Sequence, residues 1–264
     1  MHEMTGTPTQ RPCAFITGAA SGIGRATAIL FVRRGWFVGL GDIDDTALAA
    51  LAQELGPENA WTCRLDVTRE ACWETALASF MRRAGRLDLL VNNAGILISG
   101  PFTNNSLARH HALVDVNVKG VLNGCHIAKP YLMRTPGARV INLSSASAEY
   151  GQASLATYSA TKFAVRGLTE ALNVEWQGDG IRVMDVMPLF VQTAMVDGMD
   201  AASVRRLGVR LRPEDVARVV LKAAQYRGYG KVHWPVGWMA RLLHAMGGAG
   251  PDRVSRFVAH RLAT

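Results

Sequence analysis

The chain has 264 residues, 49% hydrophobic and 19% charged, with a formal net charge of +8 and 4 scattered cysteines in no CxxC spacing. That size gives one large domain or two small ones, and no linker, repeat or low-complexity tract divides it, so a single domain over residues 1–264 is expected. The composition argues against a disulfide framework, a zinc site, a signal peptide in the polar, flexible stretch 1–11, and any run near the ~20 apolar residues that cross a bilayer, which points to a cytoplasmic chain. Cys13–Thr17 is a short apolar run that reads as a strand and ends in a glycine-rich turn, and helical periodicity follows over Gly22–Arg34. Trp36–Leu40 is the next apolar run, closing at Gly41-Asp42, and Asp45–Leu55 has the Ala/Leu spacing of a helix. Ala60–Leu65, Leu87–Val91, Arg139–Leu143 and Ile181–Met187 read as further strands. Arg69–Ala84, Ser106–Met133 and Leu155–Gln177 read as the helices between them. Arg212–Asp215 opens another helix, with Pro213 in the first turn and acids near the positive end, and Lys231–Val236 gives a last strand. Strands that are apolar throughout, alternating with helices, imply βαβ units and a parallel sheet covered on both faces.

Gly18, Gly22 and Gly24 stand at the turn from the first strand into the first helix. Glycines there permit a tight turn, and the helix N-terminus offers free N–H groups and partial positive charge to a pyrophosphate. Asp42 ends the second strand, eighteen residues after Gly24. A carboxylate there accepts from both hydroxyls of an adenosine ribose and repels a 2′-phosphate. Ser21 and Ile43 occupy the places where a phosphate-binding cation would stand, so NAD is expected rather than NADP. The competing reading of Asp42 is a cap on the next helix, a role that Asp44 or Asp45 can equally fill. Tyr158 and Lys162, four residues apart, share one face of a helix. An ammonium beside a phenol favours the phenolate and gives a general acid/base for neutral pH.

The motif Thr17–Gly24 (TGxxxGxG), Asn92-Asn93-Ala94-Gly95, Ser145 thirteen positions before Tyr158, and Tyr158-x-x-x-Lys162 together resemble the short-chain dehydrogenase/reductase family. The resemblance runs from about Cys13 to Val220 and thins after Pro188. It implies an α/β, doubly wound Rossmann-type fold with a mostly parallel seven-stranded sheet in the order 3-2-1-4-5-6-7. It implies an NAD(H)-dependent oxidoreductase interconverting a secondary alcohol and a ketone, assembled as a homodimer or homotetramer through the helices at 106–133 and 155–177. On that resemblance Tyr158 is the acid/base, Lys162 lowers its pKa and holds the nicotinamide ribose, and Ser145 binds the substrate oxygen. The backbone of Asn117 would hold a water that relays protons to Lys162. Gly18, Ser21, Gly22, Ile23 and Gly24 would carry the pyrophosphate, Asp42 and Ile43 the ribose, and Asp66 and Val67 the adenine. Asn92 and Gly95 would hold the fourth strand against the cofactor, Asn93, Ala94 and Gly95 would form the cofactor wall, and Val191 and Thr193, beside the cofactor-binding Pro188, would hold the nicotinamide amide. One departure stands out: Leu189 follows Pro188 where the family has Gly, and a Leu at positive φ would be costly.

Residues 190–212 are expected to form the substrate loop. Met184, Met187, Met195, Met199, Leu189 and Phe190 near it suit an apolar substrate, with ordinary core filling as the competing reading. Residues 1–199 hold seventeen Lys/Arg and seventeen Asp/Glu, whereas residues 200–264 hold twelve and four. This basic quarter reads as a solvated face ahead of an anionic partner. Its tail, 238–264, carries one apolar stripe at Trp238, Met239, Leu242, Leu243 and Met246 and a second at Val254, Phe257, Val258 and Leu262, flanked by Arg253, Arg256, His260 and Arg261. Two short amphipathic helices are expected, packed on the domain or on a partner subunit, with a membrane-surface role less favoured. His110, His111, His126 and His233 share no ligand spacing, so they read as structural or surface residues and no metal is expected. The competing functions are an NADP-dependent carbonyl reductase, a non-catalytic dinucleotide-sensing protein, and a basic nucleic-acid binder. Intact Ser145, Tyr158 and Lys162 speak against the second, and no recognition motif supports the third.

Overall fold

A computed structural model describes residues 11–196, 199 and 208–246. Seven strands form one parallel sheet: β1 (Cys13–Thr17), β2 (Phe37–Asp42), β3 (Ala60–Arg64), β4 (Leu89–Asn92), β5 (Arg139–Leu143), β6 (Arg182–Pro188) and β7 (His233–Val236). Their order is β3-β2-β1-β4-β5-β6-β7. The helices are α1 (Gly22–Arg33), α2 (Asp45–Leu55), α3 (Glu70–Ala84), α4 (Leu107–Val114), α5 (Gly120–Leu132), α6 (Ala156–Glu175), α7 (Pro213–Gln225) and α8 (Trp238–Met246).

This strand order places the site. The chain starts in the middle at β1, moves outward to β3, and returns to lay β4 on the other side of β1. The connections after β1 and β4 therefore diverge, and a crevice opens at the carboxyl ends of these two strands. Successive residues of β1 point to opposite faces, so each strand feeds two cores. Ile16 joins Phe31, Leu51 and Val220 of α1, α2 and α7, while Phe15 joins Trp73, Phe80 and Val165 of α3 and α6. Phe80 packs edge-on to Phe15 with centroids 5.4 Å apart and stacks on Phe37 at 6.1 Å. Burial on both faces is why these strands carry unbroken apolar runs.

The segment 106–133, which reads as one helix in the sequence, is interrupted. After α4 the backbone makes a π turn over Asp115–Lys119 before α5 begins. The turn re-aims Asn117, whose Oδ1 accepts from Ile96 N at 2.8 Å and whose Nδ2 donates to Ile96 O at 2.9 Å. Such π insertions often mark functional positions. The cap of α2 is Asp44, which accepts from Ala47 N at 2.9 Å, so Asp42 is free of that duty. Asp215 accepts from Arg212 N at 2.8 Å and fixes the start of α7.

Leu189 causes no strain: among the described residues the sole non-glycine at positive φ is Ser154. The first tail stripe is split rather than buried as a unit. Met239 and Leu243 are half-buried, but Trp238 and Leu242 are 65% and 50% exposed. The expected second tail helix and much of the 190–212 loop lie outside the described residues. Among the described residues no helix is long and apolar enough to cross a membrane.

Candidate active site

The floor of the crevice is stitched by Thr17 and Asn93. The Thr17 hydroxyl accepts from the backbone N–H of Asn93 and of Ala94, both at 3.0 Å. The Asn93 amide donates to Thr17 O at 2.8 Å and Gly18 O at 3.0 Å. Thr17 had no role beyond its place in the glycine motif, yet it locks the ends of β1 and β4 together. Gly18 sits at φ +61°, and a Cβ on Gly24 would lie 2.0 Å from Gly18 O. The first turn of α1 therefore rests directly on the loop, with Ser21 as its extended N-cap residue and Gly22, Ile23 and Gly24 presenting the first-turn N–H groups. The segment after β6 folds back over this turn. Thr193 Cγ2 stands 3.1 Å from where a Gly22 Cβ would be, and Val191 bridges to Leu211.

At the β2 end, Asp42 is aimed by the backbone. Its Oδ2 accepts from Ala20 N at 2.9 Å, and its Oδ1 from Ile43 N at 2.7 Å and Asp44 N at 3.2 Å. Asp66 holds Thr68 through its N–H at 3.0 Å and its hydroxyl at 2.7 Å. The Val67 carbonyl accepts from Trp73 Nε1 at 3.0 Å and Asn123 Nδ2 at 3.1 Å, which fixes Val67 against the cleft.

Ser145 follows β5 and begins the short turn Ala146–Ala148. Its Oγ accepts from Ser147 N at 3.1 Å and lies 3.3 Å from the Pro188 carbonyl. It stands near the Tyr158 hydroxyl and favours its ionised form. Tyr158 stands in the first turn of α6, and Lys162 one turn later donates from Nζ to Leu143 O at 2.7 Å. The same ammonium lies 5.5 Å from the centre of the Tyr158 ring. Burial pulls Lys162 down to about 8, against the opposing charge of Asp185. Burial pushes the Tyr158 phenol up to about 12, with Ser145 pulling it back. The expected lowering of Tyr158 by Lys162 is not seen. The ammonium is turned onto the Leu143 carbonyl, so burial sets the phenol.

Gly18, Ser21, Gly22, Ile23, Asp42, Ile43, Asp66, Val67, Asn93, Ala94, Gly95, Ser145, Tyr158, Lys162, Pro188, Val191 and Thr193 all line one cleft of about 670 Å³. Three expected residues stand behind it. Gly24 packs on Gly18 beneath the loop. Asn117 is buried, with its side chain spent on Ile96 and on Thr161 Oγ1 at 3.3 Å. Asn92, expected to hold the fourth strand, is buried and donates to Asn142 Oδ1 of β5 at 2.9 Å.

His110 has a place the sequence did not signal. Its Nε2 faces Phe102 O at 3.0 Å, and its Nδ1 faces Thr157 Oγ1 at 2.8 Å. A carbonyl only accepts, so the proton sits on Nε2 and Nδ1 accepts from Thr157. The ring thus ties the 102–104 turn to the residue before Tyr158. Among the described residues no three His, Cys, Asp or Glu side chains are grouped to hold a metal.

Residues 12–203 match the family model described as short chain dehydrogenase. The chain is 35% identical over 214 residues to the 3-oxoacyl-acyl-carrier-protein reductase of Thermotoga maritima, covering 78% of this chain and 87% of that one. It is also 35% identical over 225 residues to the 3-beta-hydroxysteroid dehydrogenase of Comamonas testosteroni, covering 80% and 88%. A short chain dehydrogenase/reductase from Burkholderia phymatum, solved in complex with NAD, matches with a TM-score of 0.80 at 26% identity, over 91% of this chain and 95% of that one. By these matches, and by a sheet order that sets the glycine loop and Tyr158 around one cleft, the chain belongs to the short-chain dehydrogenase family.

Proposed function

We propose that this oxidoreductase is NAD(H)-dependent and interconverts a secondary alcohol and a ketone on an apolar substrate. The observation that carries the reading is a single cleft with Ser145, Tyr158 and Lys162 at one end and Asp42 at the other. The donor set between them suits a dinucleotide. The N–H groups of Gly22, Ile23 and Gly24 open α1 toward a pyrophosphate. Asp42 Oδ1 is taken by the N–H groups of Ile43 and Asp44, whereas Oδ2 holds one N–H and keeps a free lone pair for a ribose hydroxyl. Asp66 and Val67 offer the adenine end, and Pro188, Val191 and Thr193 the nicotinamide end. The nicotinamide, when bound, supplies or accepts the hydride.

The protein's own residues handle orientation and the proton. Ser145 holds the substrate oxygen beside the Tyr158 hydroxyl. In reduction Tyr158 donates its proton to that oxygen, and the Lys162 ammonium, 5.5 Å from the ring, stabilises the phenolate left behind. In oxidation the phenolate takes the proton back. Ile96, Leu97, Leu189, Phe190 and Met195 line the same cleft and make its substrate side apolar. Free thiols at all four described cysteines suit a reducing, cytoplasmic setting.

Arg25 also lines the cleft, where it could meet a 2′-phosphate, but its guanidinium is paired with Glu54. Thermal-shift titrations of NAD and NADP decide between the two cofactors. NAD is expected to bind more tightly, and Asp42→Ala to narrow or reverse the gap. A wild-type preference for NADP of tenfold, about 1.4 kcal/mol, would overturn the assignment.

A further inference from the structure

Tyr158 stands in the first turn of α6, and that turn has few anchors of its own. Its N-cap residue is Leu155, which makes no side-chain cap, and the turn holds no acid. A helix start of this kind leaves backbone N–H groups without a side-chain acceptor. Ser159 Oγ compensates in part by accepting from Gln152 N at 3.1 Å. The remaining anchors come from the segment between β4 and α4. Ser154, at φ +65°, accepts from Gly100 N at 2.9 Å through its carbonyl.

Two side chains then bridge that segment to α6. Asn117 is one. It holds both backbone groups of Ile96 and donates to Thr161 Oγ1, which in turn donates to Tyr158 O at 2.7 Å. His110 of α4 is the other, seven residues earlier and about two helical turns away. It is 8% exposed, and its ring stacks on Phe102 with centroids 4.5 Å apart and planes at 25°. Nε2 donates to Phe102 O at 3.0 Å, and Nδ1 accepts from Thr157 Oγ1 at 2.8 Å. Both polar atoms of this buried ring are spent, one on the segment and one on the residue before Tyr158.

The two ends of this bridge touch different parts of the reaction. Thr157 belongs to the same turn as Tyr158, so a shift of one moves the other. Phe102 lies on the segment that starts at Ile96 and Leu97, which line the apolar side of the cleft. Core packing does not hold that segment in place of the bridge: the turn Phe102–Asn104 buries none of its residues, and Phe102 is 56% exposed. We infer that His110 is a positioning residue, which holds Tyr158 through Thr157 and the substrate-side segment through Phe102. This rests on the reading that Tyr158 is the acid/base.

Side-chain length separates the two arms. His110→Phe keeps a ring to stack on Phe102 but removes both hydrogen bonds. The amide of an Asn reaches as far as the histidine Nδ1, so His110→Asn keeps an acceptor for Thr157 and loses the bond to Phe102 O. In His110→Phe kcat should fall about tenfold, because a displaced catalytic group costs rate steeply, and the KM for the alcohol or ketone should rise. His110→Asn should recover most of the lost kcat while KM stays raised. Thr157→Val removes the same hydrogen bond from the other side. It should lower kcat as much as His110→Phe with KM little changed, and it serves if the His110 variants do not fold. Combining His110→Phe with Thr157→Val should slow the enzyme no further than His110→Phe alone.

A merely structural role would lower kcat alike in His110→Phe and His110→Asn, or let the losses of His110→Phe and Thr157→Val multiply in the double variant. Either result overturns the inference, as does an unchanged kcat in His110→Phe. NAD affinity, read by thermal-shift titration, should be kept in every variant, and its loss alongside kcat would mean a general disturbance of the fold and overturn the inference too. Tyr158→Phe tests the underlying reading separately. Full turnover in that protein would remove the acid/base assignment, and the inference with it, whatever the His110 variants do.

Discussion

Tyr158 carries two opposing influences, and they set what its variants should do. Burial holds the phenol protonated, up to about 12, while Ser145 favours the ionised form. Ketone reduction needs the phenol and should stay level through neutral pH. Alcohol oxidation needs the phenolate and should climb with pH until Lys162 loses its proton at about 8. Initial rates in both directions across pH test this, and an oxidation rate that falls from neutral pH upward would contradict it. Tyr158→Phe removes the acid/base and leaves the ring, so turnover should drop by about 10³-fold with NAD affinity nearly kept. Lys162 adds a stability prediction. Its folded pKa, about 8, is below the ordinary 10.5. Between those values the unfolded chain holds a proton that the folded chain has released. Wild-type stability should therefore rise with pH in that window relative to Lys162→Met, by about 1.4 kcal/mol per pH unit. Denaturant titrations of both proteins at several pH values would read it, and parallel curves would refute the depressed value.

At the level of elements, much of the sheet was legible because buried parallel strands leave unbroken apolar runs between glycine turns. Cys13–Thr17 and Arg139–Leu143 have the same bounds in sequence and structure. The π turn at Asp115–Lys119 was not legible, since the side-chain pattern on either side stays helical. Nor was the role of His110, because it depends on Thr157, 47 positions away, which only packing brings near. The glycine loop lies at the other extreme. Its spacing alone implied a close approach, and the geometry gives it a measure: a Cβ on Gly24 would meet Gly18 O at 2.0 Å. Backbone on both sides cannot yield cheaply. Gly24→Ala should therefore weaken NAD binding by tenfold or more while the far-ultraviolet circular dichroism of the sheet and helices persists. Tight NAD binding by that variant would show that the loop tolerates displacement.

At the scale of the molecule, α6 does two jobs with opposite faces. Its inner face carries Lys162, Val165 and Thr169 onto the sheet, all buried. Its outer face presents Ala156, Ala160, Ala164 and Gly167 to solvent, and nothing lies within 4 Å of a Cβ placed on Gly167. Phe163 and Val174 on the same helix are 44% and 73% exposed, and Leu122 of α5 is 44% exposed. Small residues at three- and four-residue spacing let helix backbones approach closely, and the large apolar neighbours supply area that a lone chain leaves in water. We therefore expect a homodimer or homotetramer in which this face meets its copy. Ala160→Arg would set a cation in the centre of that contact, where the two copies would repel, without touching the inner face. Light scattering should show the wild-type protein as an oligomer at micromolar concentration and the variant as a smaller species. NAD binding should survive in the variant, because the described cleft is built within one chain. A wild-type monomer at that concentration would remove the contact, and an unaltered assembly in Ala160→Arg would move it to another face.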